Sequence, residues 1–357
     1  MTKDRLERFY RGKRVFITGH TGFKGSWLCK LLLDLGAVVY GYALEAPTEP
    51  SVFEILDLKN RVHSVIGDVR DPDALKEAFD AAQPEIVFHL AAQPLVRESY
   101  LLPRYTYETN VMGTVNLCEC IRNSACVKSF LNVTTDKVYE NNELEIPFTE
   151  DMPLDGYDPY SNSKSCSELV THCYKKSFFN EMNIAVSTAR AGNVIGGGDF
   201  AKDRIVPDCV RAAAEGKEII LRNPYAIRPF QHVLEPLYVY LIIAKAQYLD
   251  PLLQGYYNVG PDVSDCITTG RLADIFCRLY GEGAKWKSVA EKNAPHEAGF
   301  LKLNTDKVKS AFGWKPVWNI ETALKSVVDW SKAYAAGEDM DRFMTQQING
   351  FWENINA

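Results

Sequence analysis

Residues 15–28 read VFITGHTGFKGSWL. A short apolar run meets three glycines, Gly19, Gly22 and Gly25, and passes into an amphipathic segment. That order predicts a strand, a tight turn and a helix start. Glycine there removes side chains where the chain turns and leaves backbone N–H groups aimed at an anion from the helix N-terminus. The spacing is GxxGxxG, not the commoner GxGxxG of dinucleotide-binding turns, but the physical need is the same. Position at the first strand–helix junction favours a pyrophosphate site over a bare turn. His20, Thr21, Phe23 and Lys24 complete the loop. His20 and Lys24 are either solvated surface residues or extra positive charge beside the phosphates. An effect on dinucleotide affinity is expected, its sign left open.

Outward from this loop, as far as about Arg190, apolar runs alternate with helix-length amphipathic segments. RVFITG, AVVYGYAL, HSVIGD, EIVFHLAA, SFLNVTT and NIAVSTAR read as strands. SWLCKLLLDLG, DPDALKEAFDAA, TNVMGTVNLCECIRNS and YSNSKSCSELVTHCYKKSFF read as helices. Continuous apolar strands separated by helices indicate a parallel sheet covered on both faces. The fold class is α/β, a Rossmann-type doubly wound sheet over 1–190. Residues 191–357 mainly form a smaller α/β substrate-binding region, with a return to the first domain near 233–259.

Bulk properties narrow the function. A formal charge of −6 over 357 residues argues against nucleic acid or an anionic membrane as partner. The charged N-terminus lacks the apolar core of a signal peptide. LYVYLIIAKAQYL (237–249) is too short for a membrane span and carries a lysine, so a buried helix is expected. Nine cysteines without a CxxC pair read as free thiols of a reducing cytoplasm. No metal-ligand spacing is present, and no metal is assigned.

At the end of the second strand the first acid is Glu45, and no arginine follows to recruit a 2′-phosphate, which favours NAD over NADP. Asp68, in GDVRD, either accepts from the adenine amino group or is a plain turn acid. Farther on, VTTDKVY (133–139) ends an apolar run with Thr135, Asp136 and Lys137, and YSNSK places Tyr160 and Lys164 one helical turn apart. A free phenol with a pKa of ~10 is a poor base, and a lysine held beside it lowers that pKa. Thr135 can donate to a substrate hydroxyl or carbonyl.

TGHTGFKG, HLAAQ, TNVMGT, VTTDKVY and YSNSK, in this order, resemble the extended short-chain dehydrogenase/reductase superfamily in its nucleotide-sugar branch. The resemblance implies a Thr135–Tyr160–Lys164 triad supported by Asn110, and an NAD site that also takes in Val69, Leu90, Ala91, Ala92 and Thr109. It implies that Asn193 of the AGN segment and arginines of the second region grip a diphosphate. Arg204, Arg222 and Arg228 are the candidates, since a guanidinium fork suits phosphate oxygens. Gln93 is placed to reach the sugar, and His296 either approaches the active site or is structural. Members of the branch pair through helices that fall at 100–122 and 160–178 here, so at least a homodimer is expected.

A sugar-hydroxyl oxidation needs only the triad, so Asp136 and Lys137 are surplus to it. Dehydratases of the branch place an acid–base pair directly after the threonine, commonly Asp-Glu. Oxidation at C4 acidifies the C5 proton; a base removes it and an acid protonates the departing C6 hydroxyl. Lysine in place of glutamate, with GHTGFKG and GYALEAPTEPSVFE, resembles the CDP-glucose 4,6-dehydratases of deoxysugar and O-antigen-type biosynthesis. Lys137 is either the C5 base, with its pKa lowered, or a cation stabilising an enolate. On a strand Asp136 would point away from Thr135 and Lys137, so the chain must leave the strand for all three to converge. The expectation is a cytoplasmic, NAD-dependent lyase of CDP-glucose. The alternatives are a nucleotide-sugar 4-epimerase, a dehydratase for another nucleotide, and a non-catalytic dinucleotide-binding regulator.

Overall fold

The computed structural model describes residues 1–142, 145–289 and 299–356. Six strands form in the expected order: β1 (Arg14–Thr18), β2 (Val38–Ala43), β3 (His63–Ile66), β4 (Ile86–His89), β5 (Ser129–Thr135) and β6 (Ala185–Ala191). With a seventh strand, Tyr256–Val259, they make one sheet, ordered seventh–β6–β5–β4–β1–β2–β3. Every pairing in it is parallel.

Alternation along these strands builds two cores. Val15, Ile17, Ile86, Phe88, Leu131 and Val133 face one side, beneath the helices Phe23–Asp34 and Leu234–Leu249. Phe16, Val87, Phe130 and Val186 face the other, beneath Pro72–Ala82 and Gly113–Arg122. Both faces of the central strands are buried, so those strands read as unbroken apolar runs in the sequence, while the edge strand β3 is largely exposed. The stretch 237–249 lies in a buried helix, with Leu237 to Ala244 all within the core.

The remaining chain makes a smaller lobe with its own core, including Val206, Leu221, Phe230, Leu272, Phe276 and Leu324. The helices Ile205–Ala214, Thr269–Tyr280 and Ile320–Ala335 surround short strand pairs there. The last helix, Met340–Asn356, leaves this lobe and packs Met344, Ile348, Phe351 and Trp352 into the core of the main sheet. Among the described residues no helix is long and apolar enough to cross a membrane.

Glu235 ties the two parts together. It is 1% exposed, and its Oε1 accepts from the backbone of Val317 (2.8 Å) and Trp318 (2.6 Å) just ahead of the helix Ile320–Ala335. Burial pushes its carboxyl up to about 8, against the pull of those two N–H donors. The folded pKa is thus raised above the unfolded one, so its stabilising effect is complete below the unfolded pKa and is lost as pH rises through 8. Urea denaturation of the parent between pH 6 and pH 9 is expected to show a loss of about 2–3 kcal/mol that Glu235→Gln lacks. Equal pH dependence in the two proteins would refute this.

Candidate active site

The chain runs from β1 outward to β3 and then returns to β4 on the other side of β1, which opens a crevice at the carboxyl ends of β1 and β4. The glycine loop occupies one wall. Gly19 has φ +79°, and a Cβ there would lie 2.7 Å from the Ala91 nitrogen. A Cβ at Gly25 would sit 2.0 Å from the Gly19 carbonyl oxygen. Gly22 is the N-cap of the helix Phe23–Asp34, and no side chain caps that helix. The opposite wall is HLAA, where Leu90 donates to the Thr18 carbonyl and Ala91 to the Thr18 hydroxyl. Thr109 is buried nearby in sequence to the motif helix, and its Oγ1 has no protein partner. Uncapped N–H groups and a cradle that Cβ atoms would fill fit a bound dinucleotide.

Several expected cofactor residues have protein partners. The Thr21 hydroxyl donates to the Leu44 carbonyl at 2.8 Å. The Asp68 carboxylate is held in a fork by Arg70, with Nε at 2.9 Å and Nη2 at 2.6 Å, which keeps it below the usual carboxylate range. Val69 is buried against Gly113, and its carbonyl accepts from Asn116. His20 corrects the reading of it as a charge beside the phosphates. It is fully buried, its Nε2 lies 2.7 Å from Ser64 Oγ, and its ring fills the space left by Gly41. Burial lowers it to about 4, so it is a neutral packing residue.

A cavity of about 1120 Å³ lies between the sheet and the smaller lobe. Phe23, Lys24, Thr135, Lys137, Tyr160 and Asn193 line its inner end. Arg204, Arg222 and Arg228 line the part formed by the lobe. Arg204 pairs with Asp199 at 3.0 Å and Arg222 with Asp203 at 2.9 Å, while Arg228 Nη1 donates to the Ile227 carbonyl. Arg97 also lines the cavity and was missed from sequence. Its signal was its place four residues after HLAAQ, in the helix Val96–Leu101 that follows β4, on the side of the sheet where ligands of such folds bind.

The stretch after β5 resolves the question of convergence. β5 ends at Thr135, and Asp136–Val138 form a single tight helical turn. The Thr135 hydroxyl caps that turn by accepting from the Lys137 N–H at 3.4 Å, and itself donates to Asp136 Oδ1 at 3.0 Å. Lys137 Nζ lies 2.9 Å from the same oxygen and 3.5 Å from Asn193 Oδ1. Asp136 is 1% exposed, and its Oδ2 has no protein partner. It points toward Gly192, where a Cβ would sit 3.2 Å from it. Strand alternation ends one residue too early to separate the three groups.

Tyr160 and Lys164 lie on the helix Pro159–Tyr174, which Asp158 caps by accepting from Ser161. Asn110 joins this helix to the HLAAQ loop: its Nδ2 donates to Ser163 Oγ (2.8 Å) and the Gln93 carbonyl (3.1 Å), and its Oδ1 accepts from the Gln93 N–H. Asn110 sits in a wide helical turn, Glu108–Met112, of a kind that often marks functional sites. Gln93 itself does not reach into the cavity, contrary to expectation. Its amide is consumed by Leu95 N–H, Leu95 carbonyl and Thr106 Oγ1, so it holds the loop's shape. Burial pushes the Tyr160 phenol up to about 12, opposed by its contact with Thr135. The expected lowering by Lys164 is outweighed, because Lys164 is buried and turns its ammonium to the Val133 carbonyl at 3.2 Å. His296 lies outside the described residues. Among the described residues no cluster of three or more metal-binding side chains occurs.

Lys24 is the expected loop cation that does face the cavity. Burial, then the nearby cations Lys164 and Arg204, lower it to about 7. Its positive charge is therefore present below neutrality and lost above it. Calorimetric titration with NAD and with CDP between pH 6 and pH 8 is expected to show affinity falling as pH rises, with the step removed in Lys24→Met. An identical step in the variant would exclude Lys24 as its source.

Comparison with known proteins places this geometry. Residues 16–327 match the family model for GDP-mannose 4,6 dehydratase. The chain is 48% identical over 341 residues to the CDP-glucose 4,6-dehydratase of Salmonella typhimurium strain LT2, covering 94% of each protein. It is 25% identical to dTDP-glucose 4,6-dehydratase 1 of Escherichia coli K12, over 89% of this chain and 92% of that one. Its fold is similar to a dTDP-glucose 4,6-dehydratase from Bacillus anthracis solved with NAD (TM-score 0.76, 21% identity, 92% of this chain and 100% of that one). It is equally similar to a Thermus thermophilus UDP-glucose 4-epimerase solved with NAD (TM-score 0.78, 23% identity, 89% and 99%). By its sequence, this chain belongs to the GDP-mannose 4,6-dehydratase family.

Proposed function

We propose that the chain is an NAD-dependent 4,6-dehydratase that converts CDP-glucose to its 4-keto-6-deoxy product with loss of water. The observation that carries the reading is the Asp136–Lys137 pair, held in the turn directly after Thr135 and presented to the cavity through Lys137. The substrate name rests on the 48%-identical relative. Residues 1–190 are assigned to the dinucleotide and 191–357 mainly to the nucleotide-sugar.

Thr135 and Tyr160 meet the sugar's C4 hydroxyl at the cavity's inner end. Bound NAD supplies the acceptor for the C4 hydride and its return at C6. Lys164, the third member of the triad, favours the phenolate form of Tyr160 through its positive charge. The resulting ketone acidifies the C5 proton. Asp136 and Lys137 form an ion pair at 2.9 Å. Elimination requires the pair's proton to pass to the carboxylate, so that the Lys137 amine takes the C5 hydrogen while Asp136 gives its proton to the departing C6 oxygen. Proton removal and proton donation together return the pair to its resting ion pair, and the proton C5 gains when hydride returns to C6 matches the one Tyr160 took from the C4 hydroxyl, so over the cycle no external acid or base is consumed. Arg204, Arg222, Arg228 and Asn193 line the cavity, and their side chains are the ones that would take the diphosphate. A 4-epimerase shares the triad and the fold but has no use for the pair.

Incubation with CDP-, GDP-, UDP- and dTDP-glucose is expected to give a product lighter by one water from CDP-glucose, with deuterium from C4 recovered at C6. Asp136→Asn and Lys137→Met should keep ligand binding and lose dehydration by roughly 10²–10⁴-fold. An isomer of unchanged mass would replace the reading with epimerisation. The chain is further proposed to dimerise, because Leu101 (79% exposed), Met112 (49%) and Leu169 (54%) put apolar side chains in water on the expected helices. Light scattering should give twice the chain mass; a monomer at working concentration would reject this.

A further inference from the structure

Tyr160, Lys164 and Glu168 succeed one another at four-residue spacing along one stripe of the helix Pro159–Tyr174. Glu168 is 1% exposed, yet every feature of the reaction described so far leaves it unused. Its Oε1 accepts from Thr134 Oγ1 at 2.5 Å, and its Oε2 from Thr188 Oγ1 at 2.8 Å and Arg190 Nη2 at 2.9 Å. Arg190, 3% exposed, donates through Nη1 to the Tyr139 hydroxyl at 2.9 Å and the Glu150 carbonyl at 3.2 Å. Tyr139 in turn donates to Asn258 Oδ1 on the seventh strand.

The pair therefore touches the chain on both sides of the Asp136–Val138 turn, at Thr134 before it and Tyr139 after it. Arg190 itself lies on β6, two residues ahead of Gly192, which shapes the space around Asp136 Oδ2. Breadth of this kind is not explained by stability. A buried ion pair gains little over apolar residues of the same shape, because desolvation offsets its attraction.

We propose that Glu168, together with Arg190, is a positioning residue: it fixes the Thr135–Lys137 turn against the Tyr160–Lys164 helix and keeps a carboxylate one helical turn from Lys164. This rests on the dehydratase reading. The groups facing Lys164 are Lys24 from the glycine loop, His89 from β4, and Tyr160 and Glu168 from its own helix. Burial lowers Lys164 to about 8, and the charge of Glu168, one helical turn away, opposes that shift. His89 is held neutral by burial and carries no charge to offset it. Removing the carboxylate should leave Lys164 uncharged at a lower pH.

The experiment compares the parent, Glu168→Gln, and Glu168→Leu/Arg190→Met, the last built to fold without a stranded guanidinium. Three readouts are taken: dehydration kinetics against pH, NAD and CDP affinity, and the titration midpoint of Lys164 by NMR of lysines labelled at the ε-carbon. Both variants are expected to bind NAD and CDP within about twofold of the parent and to lose kcat by about tenfold or more. The alkaline limb of the kcat profile and the NMR midpoint should both move to lower pH. An unmoved midpoint, a parental pH profile, or affinity and kcat falling together would overturn the proposal. A parent that releases no water would instead defeat the dehydratase reading, while the NMR midpoint still decides the role of Glu168.

Discussion

The structure depends on how closely β1 and β4 can approach at their carboxyl ends. Gly19 must take a left-handed φ and must lack a Cβ, because the Ala91 backbone stands where that carbon would be. Thr18 then serves both neighbours, taking N–H bonds from Leu90 on its carbonyl and Ala91 on its hydroxyl. Gly25 continues the constraint by letting the first helix settle on the Gly19 carbonyl. Any side chain at either position would lift the helix from the sheet and close the crevice where the chain reverses direction. The location of the site thus follows from two absent carbon atoms and the order in which strands are laid down.

From that seam the reactive groups are set by where a strand stops. β5 keeps its extended geometry through Thr135 and no farther. One tight turn then swings Lys137 toward the cavity while Asp136 stays behind it, buried and paired. Had the strand run on by two residues, alternation would have sent Asp136 to the opposite face of the sheet. The local geometry is reinforced at long range, since Thr134, Tyr139, Glu168 and Arg190 join the turn to a helix and two further strands.

Much of this was legible in the sequence, for identifiable reasons. Strands buried on both faces appear as unbroken apolar runs, and glycines at a strand–helix junction announce a turn that excludes side chains. The spacing of Tyr160 and Lys164 and the surplus of Asp136 and Lys137 are local patterns, so they could be read. Contacts between distant segments could not. His20 reads as a loop charge until Gly41, which lies far along the chain, is seen to leave room for its ring. Gln93 reads as a cavity residue until Thr106 and the Leu95 backbone claim its amide. Arg97 and Glu168 carry no motif of their own, because their roles come from which elements the fold brings beside them.

The charge distribution links these parts into one coupled system. The chain carries a net charge of −6, yet Lys24, Lys137, Lys164 and Arg204 converge on one crevice. Burial and mutual repulsion hold Lys24 near 7 and burial holds Lys164 near 8, so near neutrality part of that positive charge is withheld. A diphosphate entering the cavity reverses the balance, since an opposite charge nearby favours the protonated amines. Ligand binding and proton uptake must then reinforce one another, each raising the affinity of the site for the other by the same factor. The same arriving charge restores the ammonium at Lys164, which the buried phenol of Tyr160 needs nearby before it can ionise. Substrate and cofactor, both anionic, thereby help to prepare the acid–base state in which they react.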